Sequence, residues 1–251
     1  MIFPKRVVFE GSKKSQEINL TNAGDDSAKY VISIVQMRMK EDGGFEKITE
    51  PDSGQYFADK YIRFFPRRVV LAPHESQVVK IQLTKAEQLA PGEYRSHFYF
   101  RAEPNKKPLG EKEVAPKKDT NTISVHLSAI FGIAIPVIIR VGESTVQVSI
   151  SDLSLETVGD TVNQLKMKFN RTGNMSVYGD IAVTYISDRG VETQVGIAKG
   201  VAVYTPNLNR KFQLDLKETG NEKINYHKGK LHVVYSSKEG EKLAETEILL
   251  D

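Results

Sequence analysis

The sequence predicts an all-β chain folded as two β-sandwiches. Three observations carry that prediction. Short runs rich in Val, Ile, Tyr and Phe are separated throughout by clusters of Gly, Pro, Asn and Asp, which is the pattern of strands and turns. The series of strands restarts after Arg140, as a second domain would. Residues 123 to 135 follow a period of two: Ile123, Val125, Leu127, Ala129, Phe131, Ile133 and Ile135 are apolar, with Ser124, His126 and Ser128 between them in the first half. A period of two marks a strand with one wet face. At about 3.3 Å per residue this strand would span about 43 Å, whereas ordinary strands have about 5–6 residues. So long an apolar strand is either buried at the centre of a sheet or kept as an edge that another chain pairs with.

In chain order, the first strands are expected over 5–9, 16–21, 30–39, 61–71, 76–83 and 94–102. Their separators are Glu10-Gly11-Ser12, Asn22-Ala23-Gly24-Asp25, Asp42-Gly43-Gly44, Ala72-Pro73-His74 and Ala90-Pro91-Gly92. With the strand at 123–135 they make seven, the count of an immunoglobulin-type sandwich. Residues 40–60 are polar, carry Pro51 and Gly54, and read as a long loop. Residues 85–89 suit a single helical turn. Residues 105–122 are rich in Lys, Glu and Pro and have too little apolar surface to fold alone.

Beyond the break Val141-Gly142-Glu143-Ser144, strands are expected over 145–155, 165–170, 180–186, 194–203, 211–216, 228–235 and 243–249. Turns with Gly159-Asp160, Thr172-Gly173-Asn174, Asp188-Arg189-Gly190, Pro206-Asn207 and Glu239-Gly240 separate them. The domains are therefore placed at 1–141, which carries the long strand, and 142–251.

Composition narrows the function. The chain has 251 residues, 39% hydrophobic and 27% charged, with a net charge of +3. So weak a basic excess, with isolated doublets at Arg67-Arg68 and Lys117-Lys118, does not point to nucleic acid. No apolar run approaches the roughly 18 residues of a membrane-spanning helix, so membrane insertion is not expected. Cysteine is absent, which removes disulfides, a thiol nucleophile and thiolate metal ligation. Pro4, Lys5 and Arg6 follow Met1 too closely for a signal peptide, so the chain is expected either to be cytosolic or to have lost a leader.

Catalytic signatures are missing too. His74, His97, His126, His227 and His232 include no pair at the i, i+4 spacing of a helical metal site. His97 and His126 lie on predicted strands, where a partly buried structural histidine is the ordinary case. G-x-S-x-G, the P-loop and G-x-G-x-x-G in a strand–helix context do not occur. No metal, cofactor or enzymatic activity is expected.

Several segments, in order, resemble the periplasmic pilus chaperones of the PapD type. Pro4-Lys5-Arg6-Val7-Val8-Phe9-Glu10-Gly11-Ser12 is similar to their first strand, and Ile18-Asn19-Leu20-Thr21-Asn22 to their second. Phe65-Pro66-Arg67-Arg68-Val69-Val70-Leu71-Ala72-Pro73 resembles the approach to the fifth, and Tyr94-Arg95-Ser96-His97-Phe98-Tyr99-Phe100 the sixth. The alternating strand ending in Ile135-Pro136-Val137-Ile138-Ile139-Arg140 resembles the seventh. Residues 170–178 (NRTGNMSVY) sit where the family has an Asn-rich turn followed by an aromatic residue. The resemblance spans essentially the whole chain and implies two immunoglobulin-like domains set at an angle, with a cleft between them.

It also implies a function. Such a chaperone binds pilus or fimbrial subunits in the periplasm, fills their missing strand with its own seventh strand, and delivers them to an outer-membrane usher. Ile123, Val125, Leu127, Ala129 and Phe131 would then be the plugs of that donor strand, each large one contributing about 1.5–3 kcal/mol when buried. Arg6 would grip the subunit's C-terminal carboxylate, an interaction of about 1.5–3 kcal/mol. A periplasmic home would require that the leader has been removed. An exposed edge of this kind also leaves room for a self-capping homodimer.

The sequence departs from the family at three points. The lysine expected four residues before Arg140 is Pro136, so Arg140 and Arg95 become candidates to share the anchor with Arg6. Lys80 and Arg95 stand where the family has arginine and glutamate, so a different domain-orienting contact is implied. Regular pairing of the long strand should stop at Pro136. Outside the resemblance, the alternating strand also suits ordinary core on one face and solvent on the other. A two-domain surface adhesion or structural protein, and a β-sandwich enzyme or sugar-binding module, are the competing readings.

Overall fold

A computed structural model of the chain describes residues 1–103, 132–159, 162–217 and 224–250. Those residues form strands and two short 3-10 turns, with no α-helix among them. They fall into two compact units. The first comprises Met1–Gln36, Phe57–Leu89 and Tyr94–Ile139; the second comprises Met37–Tyr56, Ala90–Glu93 and Arg140–Asp251. The second unit thus takes two pieces of chain from the first half of the sequence.

In the first half the strands are β1 (Ile2–Phe3), β2 (Val7–Phe9), β3 (Ser15–Thr21), β4 (Ala28–Met39), β5 (Phe45–Ile48), β6 (Ile62–Phe65), β7 (Arg68–Leu71), β8 (Ser76–Leu83), β9 (Gly92–Glu103) and β10 (Gly132–Val141). They make one sheet in the order β1-β3-β8-β6 and another in the order β2-β10-β9-β4-β5, with β7 on β4. This is the arrangement of an immunoglobulin-like sandwich. Alternation directs the packing. Ile18 and Leu20 of β3 and Val79 and Ile81 of β8 are buried, whereas Glu17, Asn19 and Lys80 between them are exposed. Phe64 of β6 meets Phe98 of β9 edge-to-face at 5.0 Å, joining the two sheets.

The second half holds β11 (Gln147–Val158), β12 (Val162–Thr172), β13 (Val177–Ile186), β14 (Glu192–Val203), β15 (Asn209–Asp215), β16 (Lys230–Ser236) and β17 (Lys242–Leu249). Their sheets run β11-β12-β15 and β14-β13-β16-β17. Leu165, Phe169, Val183, Val195, Leu231, Val233 and Tyr235 form the centre of the core. Phe169 meets Tyr235 edge-to-face at 5.0 Å across the layers, and the Tyr235 hydroxyl donates to the Val201 carbonyl at 2.8 Å.

Some expectations are corrected. The loop expected over 40–60 contains β5; its apolar residues, Phe45 and Ile48, stand three apart and do not follow a period of two. The single strand expected over 61–71 is two, because Pro66 cannot donate to a ladder; β6 pairs with β8 and β7 with β4. Pro136 does not end its strand, since β10 continues to Val141. The pair Ile2–Phe3 forms a further strand on β3. The expected turn over 85–89 is a 3-10 turn at Ala86–Gln88.

Candidate functional site

The long alternating strand is described from Gly132 onward. The plug candidates Ile123, Val125, Leu127, Ala129 and Phe131, together with His126, lie outside the described residues. β10 sits between β2 and β9. It pairs with β2 in parallel, Val137 opposite Val7, Ile138 opposite Val8 and Ile139 opposite Phe9. This ladder begins one residue after Pro136, so the missing N–H of proline costs no bond in it. On the other side Gly132 lies on Tyr99: a Cβ at 132 would fall 2.5 Å from ring atoms Cε2 and Cζ. A side chain at 132 would have to displace the Tyr99 ring.

The odd-numbered side chains of β10 change environment along the strand. Ile139, Val137 and Ile135 are buried, at 1%, 0% and 2% exposure, but Ile133 is 51% exposed. A row that fills the chain's own core therefore loses its cover at Ile133. Continued in the same parity, it is the row of Phe131, Ala129, Leu127, Val125 and Ile123.

Arg6 precedes Val7 by one residue, which puts it level with Pro136 in the parallel register. It is half-buried. β9 and β10 run in opposite senses, since Gly132 rests on Tyr99 and Gly142 on Pro91. Arg95 lies on β9, the strand that neighbours β10 on its other side. Arg6 alternates with the buried Val7 and Phe9, and Arg95 with the buried Phe98 and Phe100. Both arginines therefore project from the face opposite the core. Arg95 itself is buried, at 2% exposure. Beside it, burial of His97 and then the charge of Arg95 push that imidazole down to about 3. Lys80 is exposed and lies opposite Glu17 and Phe65 on neighbouring strands.

Arg140 has a different setting, inside the second unit. Its Nε donates to Glu93 Oε2 at 3.2 Å and its terminal nitrogen to the Ser176 carbonyl at 2.7 Å. The Glu93 side chain is fully buried. It also accepts from the Ser176 N–H at 3.0 Å, the Ser176 hydroxyl at 2.7 Å and the Thr205 hydroxyl at 3.4 Å. The turn expected from residues 170–178 supplies these partners. Arg171, buried, donates to the carbonyls of Asn207, Gly173 and Met175 at 2.8, 2.9 and 2.8 Å. Burial holds its guanidinium below the usual arginine range. Asn174 accepts from the Thr145 N–H at 2.9 Å and donates to the Glu143 carbonyl at 2.9 Å. Residues 140 to 145 are thus fastened at both ends to one turn. Glu93, Arg171 and Ser176 were not singled out as such from sequence, because a buried glutamate or arginine is written no differently from a solvated one.

No family model matches the sequence, and no curated protein matches it. Solved structures similar to this chain include the Pseudomonas aeruginosa CupB2 chaperone, at 14% identity over 100% of both chains and a TM-score of 0.46. They include the E. coli chaperone DraB, at 13% identity over 100% of this chain and 96% of that one, with a TM-score of 0.45. A chain of the Salmonella enterica SafA pilin complex with the SafB chaperone is 12% identical over 100% of this chain and 95% of that one, with a TM-score of 0.44.

Proposed function

We propose that this chain is a periplasmic pilus-subunit chaperone that lends the strand 123–135 to an incomplete β-sandwich subunit and passes that subunit to an outer-membrane usher. The observation that carries the reading is the loss of cover along the odd-numbered row at Ile133, 51% exposed against 2% for Ile135. The apolar residues of that parity before Ile133 in the sequence are the ones we assign as plugs for another sandwich. Each large plug contributes about 1.5–3 kcal/mol on burial, while ordering a segment on binding costs about 2–5 kcal/mol. Several plugs are therefore needed, which the alternation provides. Arg6 anchors the subunit's terminal carboxylate and fixes the register, because a slip of one residue would turn every plug to the wrong face. Arg95, on the neighbouring strand β9, adds positive potential where the family's lysine is missing. Arg140 serves Glu93 instead. The role is binding, without catalysis or cofactor.

Co-expression with a strand-deficient subunit tests the reading. The wild type is expected to form a one-to-one complex. Leu127→Asp with Phe131→Asp should abolish that complex and leave the circular dichroism and melting of the free chain unchanged. Arg6→Ala should weaken capture about tenfold or more, the equivalent of one charge-assisted contact. Capture that survives the double substitution would overturn the donor-strand assignment, and unchanged affinity of the Arg6 variant would remove the anchor.

A further inference from the structure

We propose that the excursion Met37–Tyr56 is a strap that closes the open edge of β15 and keeps the second unit from pairing with stray strands. β15 is the last strand of its sheet, in the order β11-β12-β15. Its pairing direction follows from two bonds: the Arg171 N–H donates to the Leu208 carbonyl, and the Leu216 N–H to the Asn163 carbonyl. Even-numbered backbone groups therefore face β12, and those of Lys211, Gln213, Asp215 and Lys217 face outward. Such a row is a template for another strand.

Both ends of the row are occupied. The Lys211 N–H donates to the Glu41 carbonyl, in the strap, at 2.6 Å, and the Lys217 N–H donates to the Val195 carbonyl at 2.7 Å. Only Gln213 and Asp215 remain between them. The stretch they leave opens on a hollow of about 570 Å³ lined by Val195, Ile197 and Leu214 and by the polar side chains of Gln164, Gln194 and Asp215. An incoming strand would find backbone partners there, so the length of the opening is what limits it.

The strap is built to stay on this edge. Asn207 Nδ2 donates to the Met39 carbonyl at 2.9 Å, and Phe45 packs on Tyr204 with ring centroids 6.1 Å apart. Gly43, at φ +84°, lies against Arg210; a Cβ there would come 2.5 Å from the guanidinium. At the base of the strap Arg38 binds the Asp52 carboxylate through two nitrogens and Glu46 through a third at 2.6 Å. Gln55 Nε2 donates to the Met37 carbonyl at 3.2 Å. The proposal does not depend on the strand-lending function.

The test replaces residues 41–54 by a short Gly-Ser bridge in the full chain, with Phe45→Ala plus Asn207→Ala as a milder variant that keeps the chain length. The Lys211 amide is expected to exchange about tenfold faster or more, as a backbone group does when its cover is lost. Light scattering after size exclusion should show self-association beyond that of the parent chain and rising with concentration. Adding Gln213→Pro should reverse it. That proline removes an outward N–H and leaves the bonds to β12 intact. Association through the 123–135 strand would not respond to Gln213→Pro, so the two surfaces are told apart. A Lys211 amide that stays protected, an exposed edge without added association, or association that Gln213→Pro leaves in place would each overturn the strap.

Discussion

His97 is an imidazole that water barely reaches, and the consequence is a pH dependence of known sign. Burial and the neighbouring Arg95 charge lower it to about 3, whereas an unfolded histidine titrates near about 6.5. Between those values the unfolded chain binds a proton that the folded chain does not. Stability present above about pH 6.5 is therefore lost as the pH falls, by at most about 1.4 kcal/mol per pH unit from this group. His97→Gln should flatten the fall in urea midpoint between neutral pH and pH 4.5; an unchanged slope would mean that His97 is not held neutral by the fold. Gly132 makes a steric statement of the same scale. Gly132→Val should cost about 1–3 kcal/mol by displacing Tyr99. Tyr99→Ala in the same chain should recover part of that loss, measured as the coupling in a double-mutant cycle.

Among elements, the end of β10 and the turn 171–176 act together. Glu93 is a buried carboxylate whose charge is met by Arg140 and by the donors of Ser176. Removing one partner of a buried ion pair is costly because the other is left uncompensated, about 3–5 kcal/mol. Arg140→Met is expected to lower stability by that order in chemical denaturation. Adding Glu93→Gln should restore part of it, since the amide needs no counter-charge. If the double variant were less stable than the single, the pair would not be the source of the cost. The surface pairs rank below this. Lys230 and Glu247, 2.9 Å apart on β16 and β17, are exposed and fall within the usual range of about 0–1 kcal/mol.

For the whole molecule, the division into units does not follow the order of the chain. Met37–Tyr56 and Ala90–Glu93 belong to the unit whose remainder starts at Arg140. A fragment of residues 142–251 should therefore melt below the intact chain, lacking the carboxylate of Glu93 beneath Ser176 and the carbonyl of Glu41 on Lys211. Amide exchange at Lys211 and Ser176 should be faster in the fragment, whereas Val183 and Val233, in the paired centre of β13 and β16, should remain slow. Equal protection at all four positions would show that the unit is complete without its upstream pieces.

Sequence alone determined the elements that rest on a period of two. The alternation of Ile18 with Leu20 and of Val79 with Ile81 specified which side chains enter a core, because neighbouring residues of a strand must face opposite ways. Turn clusters placed most of the breaks, since Gly, Pro, Asn and Asp are the residues that tight turns require. Arg6 and the odd-numbered row were legible as candidates from their order along the chain. What only the tertiary structure decided depends on groups distant in sequence. The split of 61–71 between two sheets, the strand at 45–48, the exposure of Ile133 and the burial of Glu93 against Arg140 are set by which strand lies next to which. That choice is made by packing two sheets and satisfying every buried polar group at once, and no local pattern encodes it.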